Sequence, residues 1–119
     1  YCQLIKSDLL SEELYPVEFF GKELTLTPSL FINDALIFRD VRSSLITLTV
    51  EGKPVLSVDV GNNKHLGLWA KPDSPYICIE PWAATDETIK TSAELKEKPD
   101  MICLSSGEIY SNYYQINIL

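Results

Sequence analysis

The 119-residue chain predicts an all-β fold, an antiparallel β-sandwich, from three observations. Apolar and polar residues alternate with period two through several short segments. Polar turns rich in Gly, Pro, Asn and Asp separate them. Helical character is confined to residues 7–14 and 91–97, both too short to organise a core. Composition agrees, since 45% hydrophobic and 23% charged residues is the balance of a globular chain. A chain of this length buries roughly two-thirds of its unfolded surface, so residues 1–119 read as one domain.

The elements follow in order. Leu24 to Leu26 and Ala35 to Phe38 read as short strands, with Pro28-Ser29-Leu30-Phe31 between them as a single helical turn. From Ser44 to Val50, Ile46, Leu48 and Val50 face one way and Thr47 and Thr49 the other. Val55 to Val60 repeats the pattern, with Leu56, Val58 and Val60 set against Ser57 and Asp59. Glu51-Gly52-Lys53-Pro54 joins the two as an antiparallel hairpin. Gly61-Asn62-Asn63-Lys64 is a loop on turn chemistry, and Leu66 to Ala70 is a further strand ending at Lys71-Pro72-Asp73. Tyr76 to Ile79, between Pro75 and Pro81, reads as a strand buried on both faces. Tyr110 to Leu119 alternates and closes the fold.

A formal charge of −7 argues against nucleic acid or an anionic membrane as partner. Lys90, Lys96 and Lys98 are interleaved with Glu94 and Glu97, the pattern of a solvated face. No stretch approaches the ~20 apolar residues of a membrane span. Cys2, Cys78 and Cys103 have no zinc-knuckle or Cys-x-x-Cys spacing. Cys78 lies inside an apolar strand as a small hydrophobe. That usage points to a reducing, cytoplasmic setting. The chain opens on Tyr1 with no initiator Met, so the reading leaves a targeting segment upstream open.

The densest chemical signal is Ile77-Cys78-Ile79-Glu80-Pro81-Trp82, where a carboxylate follows an apolar run. Pro81 is expected to stop the ladder, leaving Glu80 at a strand end. A carboxylate at the rim of an apolar core has a raised proton affinity, which suits a general base near neutral pH. The alternative is a surface glutamate at a strand end. Trp69 and Trp82 offer faces on which a pyranose could stack, or else pack the rim; Trp69 is favoured because it ends a strand leading to the same loop. Asp34 is either a substrate contact or an Asx residue capping its own turn. His65, the only histidine, sits among Asn63 and Lys64 and reads as a surface turn residue. There is no Gly-rich phosphate cradle and no metal-ligand cluster; the adjacent Asp86 and Glu87 read as solvent-facing.

Three segments resemble, in order, the C-terminal half of the aldose 1-epimerase (galactose mutarotase) family. They are Leu24 to Phe31 running into Asn33 to Phe38; Leu66-Gly67-Leu68-Trp69 with Lys71-Pro72 leading into Tyr76 to Trp82; and Glu94 to Lys98 followed by Leu104, Gly107-Glu108 and the closing strand. The central segment is specific and the flanking ones individually weak. The resemblance implies a larger sandwich, the mutarotase-like supersandwich, with this chain as its C-terminal part. It implies that Glu80 takes the proton from the anomeric hydroxyl of a monosaccharide, and that Asp34 contacts sugar hydroxyls. It places the acid histidine upstream of Tyr1. No cofactor is implied, because ring opening supplies the electrophile. Expected partners are the missing N-terminal part of the fold or a second copy, paired through exposed sheet edges. Two alternatives accompany this reading: a non-catalytic carbohydrate-binding sandwich, and an epimerase of a phosphorylated hexose whose phosphate would fall to Arg39 and Arg42.

Overall fold

The computed structural model describes residues 2–6, 9–88, 90–91 and 94–119. Among these, eight strands form two antiparallel sheets, so the fold is all-β and sandwich-like. The strands are β1 (Gln3–Lys6), β2 (Leu9–Leu10), β3 (Leu36–Phe38), β4 (Leu45–Val50), β5 (Lys53–Asp59), β6 (His65–Trp69), β7 (Cys78–Trp82) and β8 (Gln115–Ile118). One sheet has the order β2-β1-β3-β6-β7 and the other β4-β5-β8. Leu36, Leu66 and Leu68 of the first sheet are buried together with Phe31, Val60 and Ala70, and Ile46 and Ile79 pack against them. Each of the buried Leu, Val and Phe side chains contributes about 1.5–3 kcal/mol of apolar burial. Cys2 joins this core, where burial raises its thiol pKa; Cys78 is half-buried and Cys103 exposed, and all three are free thiols.

The β4–β5 hairpin is tighter than the sequence implies. Glu51 and Gly52 alone form the turn, both with positive φ (50° and 76°), so Lys53 and Pro54 already belong to β5. Two positive φ values in succession give the twist that matches paired strands. The register shifts between Leu48 and Thr49, where an extra residue bulges out. The helical turn at Pro28–Phe31 forms as a 3₁₀ turn, with proline at its start where no backbone donor is needed.

Several expectations are corrected. Leu24 to Leu26 is irregular, although Leu24 packs against the core. Residues 7–14 hold β2 instead of a helix, with Ser7 and Asp8 outside the described residues. In 91–97 only Leu95–Glu97 is helical, as a 3₁₀ turn, and residues 92 and 93 lie outside the described residues. The closing strand is shorter, Gln115–Ile118, and forms the edge of its sheet. The strand of Glu80 is Cys78–Trp82, half-buried along its length instead of buried on both faces. Pro81 does not end the ladder, being paired with Leu66 inside it. That is tolerated because β7 is an edge strand, where a residue without an N–H can face outward.

No helix among the described residues is long and apolar enough to cross a membrane.

Candidate functional site

Directly opposed residues share one face of a sheet, so the register decides which side chains stand together. Gln3 opposes Ile37, Ile37 opposes Gly67, and Gly67 opposes Glu80. His65 opposite Trp82 and Trp69 opposite Cys78 flank that row on β6 and β7. Leu36, Leu66, Leu68 and Ile79 alternate with them and face the inter-sheet core. Glu80 therefore stands on the outer face of the sheet.

Two residues shape the setting of its carboxylate. The Trp82 indole Nε1–H donates to Glu80 Oε2 at 3.1 Å. Residues two apart on a strand share a face, which is what lets this pair meet. Gly67 opens the space across the strand gap: a Cβ there would lie 3.2 Å from the Trp82 ring and 3.5 Å from Glu80 Oε2. The indole thus lies across the Gly67 backbone with the carboxylate beside it, one oxygen bonded and the other uncommitted among the described residues.

Trp69 and Trp82 pack against the same small cluster of Leu10, Ala35 and Ile37. The Trp69 ring centroid is 6.1 Å from that of Tyr76, in a tilted pair. Both tryptophans are half-buried, as wall and rim, and share the face of Glu80. Asp34 has its own local role. It is exposed with φ at 77°, and its Oδ1 accepts from the backbone N–H of Ala35 at 2.7 Å, so it caps the turn into β3.

His65 overturns the surface-turn expectation. It begins β6 and is 0% exposed. Its Nδ1 accepts from the Asp40 backbone N–H at 3.1 Å, which leaves the proton on Nε2 to be donated to Asp100 Oδ2 at 3.1 Å. Lys64 bonds Asp100 Oδ1 at 3.0 Å and Arg39 bonds Oδ2 at 3.3 Å. The hydrogen bond from Lys64 leads in holding the Asp100 carboxyl below its ordinary value, and Asp100 in turn raises Lys64. The cluster ties residue 100 to the start of β6. Nothing in the His65 neighbourhood of the sequence announced this, because its partner lies 35 residues away.

Two clefts open nearby, and Glu80 lines neither. One, of about 350 Å³, is apolar and lies between Leu26, Phe31, Ala70, Pro72, Tyr76 and Ile77. The other, of about 420 Å³, is polar and is lined by Gln3, Arg39, Thr85, Thr88, Lys90 and Thr91 among others.

Two curated proteins match the chain. They are Protein LacX, plasmid, and Protein LacX, chromosomal, both of Lactococcus lactis subsp. lactis, each 32% identical over 101 residues. The alignment takes in 82% of this chain and 33% of theirs, so the chain spans about a third of the length of the curated relatives it matches. No family model and no solved structure matches it.

Proposed function

We propose that residues 1–119 are the base-bearing part of an aldose 1-epimerase that interconverts α and β anomers of an unphosphorylated aldohexose. The observation that carries this is the setting of Glu80: a carboxylate on an outer sheet face, held at one oxygen by Trp82, with a second tryptophan on the same face. It coincides with the position at which the resemblance in the sequence expects the base. An oriented carboxylate with one oxygen uncommitted can accept a proton from an anomeric hydroxyl. Trp69 and Trp82 offer apolar surface for the ring's C–H groups.

His65 does not supply the acid, because it is fully buried with both ring nitrogens engaged. The acid is therefore expected from a histidine outside this chain. Arg39 is committed to Asp100, which favours a neutral sugar over a phosphorylated one.

Polarimetry of freshly dissolved α-D-glucose and α-D-galactose with the full gene product tests the reading. Mutarotation is expected to accelerate, and Glu80→Gln to lower that acceleration by about 10²–10⁴-fold. A Glu80→Gln protein with the wild-type rate would refute the assignment. The 119-residue chain alone is expected to give no acceleration.

A further inference from the structure

We propose a second site, for a neutral saccharide, in the polar cleft around Gln3. Gln3 is only 5% exposed and stands on the face of Glu80. Its Nε2 donates to the Ser11 carbonyl, while its Oε1 is buried with no hydrogen-bond partner among the described residues. A buried amide oxygen left unpaired is costly, and native folds satisfy such atoms with protein, water or ligand. The cleft that Gln3 lines measures about 420 Å³, within the range of small-molecule sites.

Its lining selects the ligand class. The cations are already spent: Lys90 pairs with Glu12 at 3.4 Å, Lys98 with Glu87, and Arg39 with Asp100. Four carboxylates (Glu12, Asp86, Glu87 and Glu97) face three cations across the cleft, so an anion is repelled. What remains to be satisfied is an acceptor, Gln3 Oε1, and the half-buried Thr85, which can offer a hydroxyl, lines the same cleft. Thr88 and Thr91, whose hydroxyls lie 3.3 Å apart, add oxygens beside them. A ligand bearing several uncharged hydroxyls, each both donor and acceptor, matches that set. Charged sugars and phosphate do not.

The site is distinct from the one at Glu80. Three strand spacings of about 4.8 Å separate Gln3 from Glu80, roughly 14 Å along the row. Ile37 and the Trp82 ring fill the interval. One monosaccharide cannot touch both ends.

Titration of the ¹⁵N-labelled chain with D-glucose, with maltose and with inorganic phosphate, followed by two-dimensional NMR, tests this. Both sugars are expected to shift the Gln3 side-chain amide and the backbone amides of Thr85, Thr88 and Thr91, and phosphate to leave them in place. Gln3→Leu, and separately the near-isosteric Thr85→Val, should each weaken sugar binding by about tenfold, the worth of one buried hydrogen bond. Ile118→Lys, on the other sheet, should leave it unchanged, and the readout at Gln3 and the three threonines does not depend on the epimerase reading. Absence of sugar-dependent shifts would overturn the proposal, and so would unchanged affinity in both variants or a stronger response to phosphate.

Discussion

Replacing Asp100 by Ala tests the buried histidine latch. The Nε2–H of His65 is fully enclosed and has Asp100 as its acceptor. Without it, a buried donor goes unpaired at a cost of about 1–3 kcal/mol. Lys64 is 61% exposed, so its ion pair adds only ~0–1 kcal/mol. A total near ~2 kcal/mol lowers the melting temperature of a chain this size by roughly 6–10 °C. Calorimetry or circular dichroism at neutral pH reads it directly. Asp100→Asn keeps an acceptor oxygen and drops the charge, so it should lose about half as much. The sign with pH follows from the lowered folded pKa of Asp100. Its contribution is fully present above the ordinary value of 3.8 and is lost as pH falls through the folded value. The gap between wild type and Asp100→Ala must therefore close in acid. Melting curves that coincide at pH 7, or a gap that survives to strongly acidic pH, would refute the account.

Gly67→Ala puts a Cβ 3.2 Å from the Trp82 ring, and overpacking of this kind costs about 1–3 kcal/mol in urea unfolding. Displacement of the indole should also change tryptophan emission, which Glu80→Gln alone should alter less. On β8, Ile116 is 54% and Ile118 80% exposed at a sheet edge, so the chain is expected to self-associate with rising concentration. Ile118→Lys should shift sedimentation velocity profiles toward monomer; wild type that stays monomeric at all concentrations would remove the premise.

The fold class was legible because alternation needs only five or six residues to show itself, and β4 and β5 have them. β1 and β2 were not, since strands of four and two residues carry too little period to read. Leu24 misled because an apolar side chain can be buried from irregular backbone as well as from a ladder. Glu80 was singled out by the resemblance and Trp69 by its place at a strand end, and the register puts both on one face with Trp82. Asp34 makes a local bond, accepting from the Ala35 N–H, in keeping with the turn-capping alternative. Asp100 and Gln3 could not be found at all. Their significance rests on contacts made across the chain, in one case with His65 and in the other with a cleft.

Pro81 carries the last consequence of the Glu-Pro-Trp order. In an antiparallel pair, opposed residues alternate between exchanging both backbone hydrogen bonds and exchanging none. Pro81 has no N–H, so its pairing with Leu66 takes the position that exchanges none. The neighbouring pair, Glu80 with Gly67, is then the doubly bonded one, and the carboxylate is anchored through its own backbone to the residue that leaves it room. Pro81→Ala should leave this ladder intact, losing only the ~0.4–1 kcal/mol that proline gains by restricting the unfolded chain. It should also expose a free N–H along the open edge of β7, raising self-association. A variant more stable than wild type by a full hydrogen bond, about 1 kcal/mol, would mean that position 81 faces β6, and the double anchoring of Glu80 would fall with it.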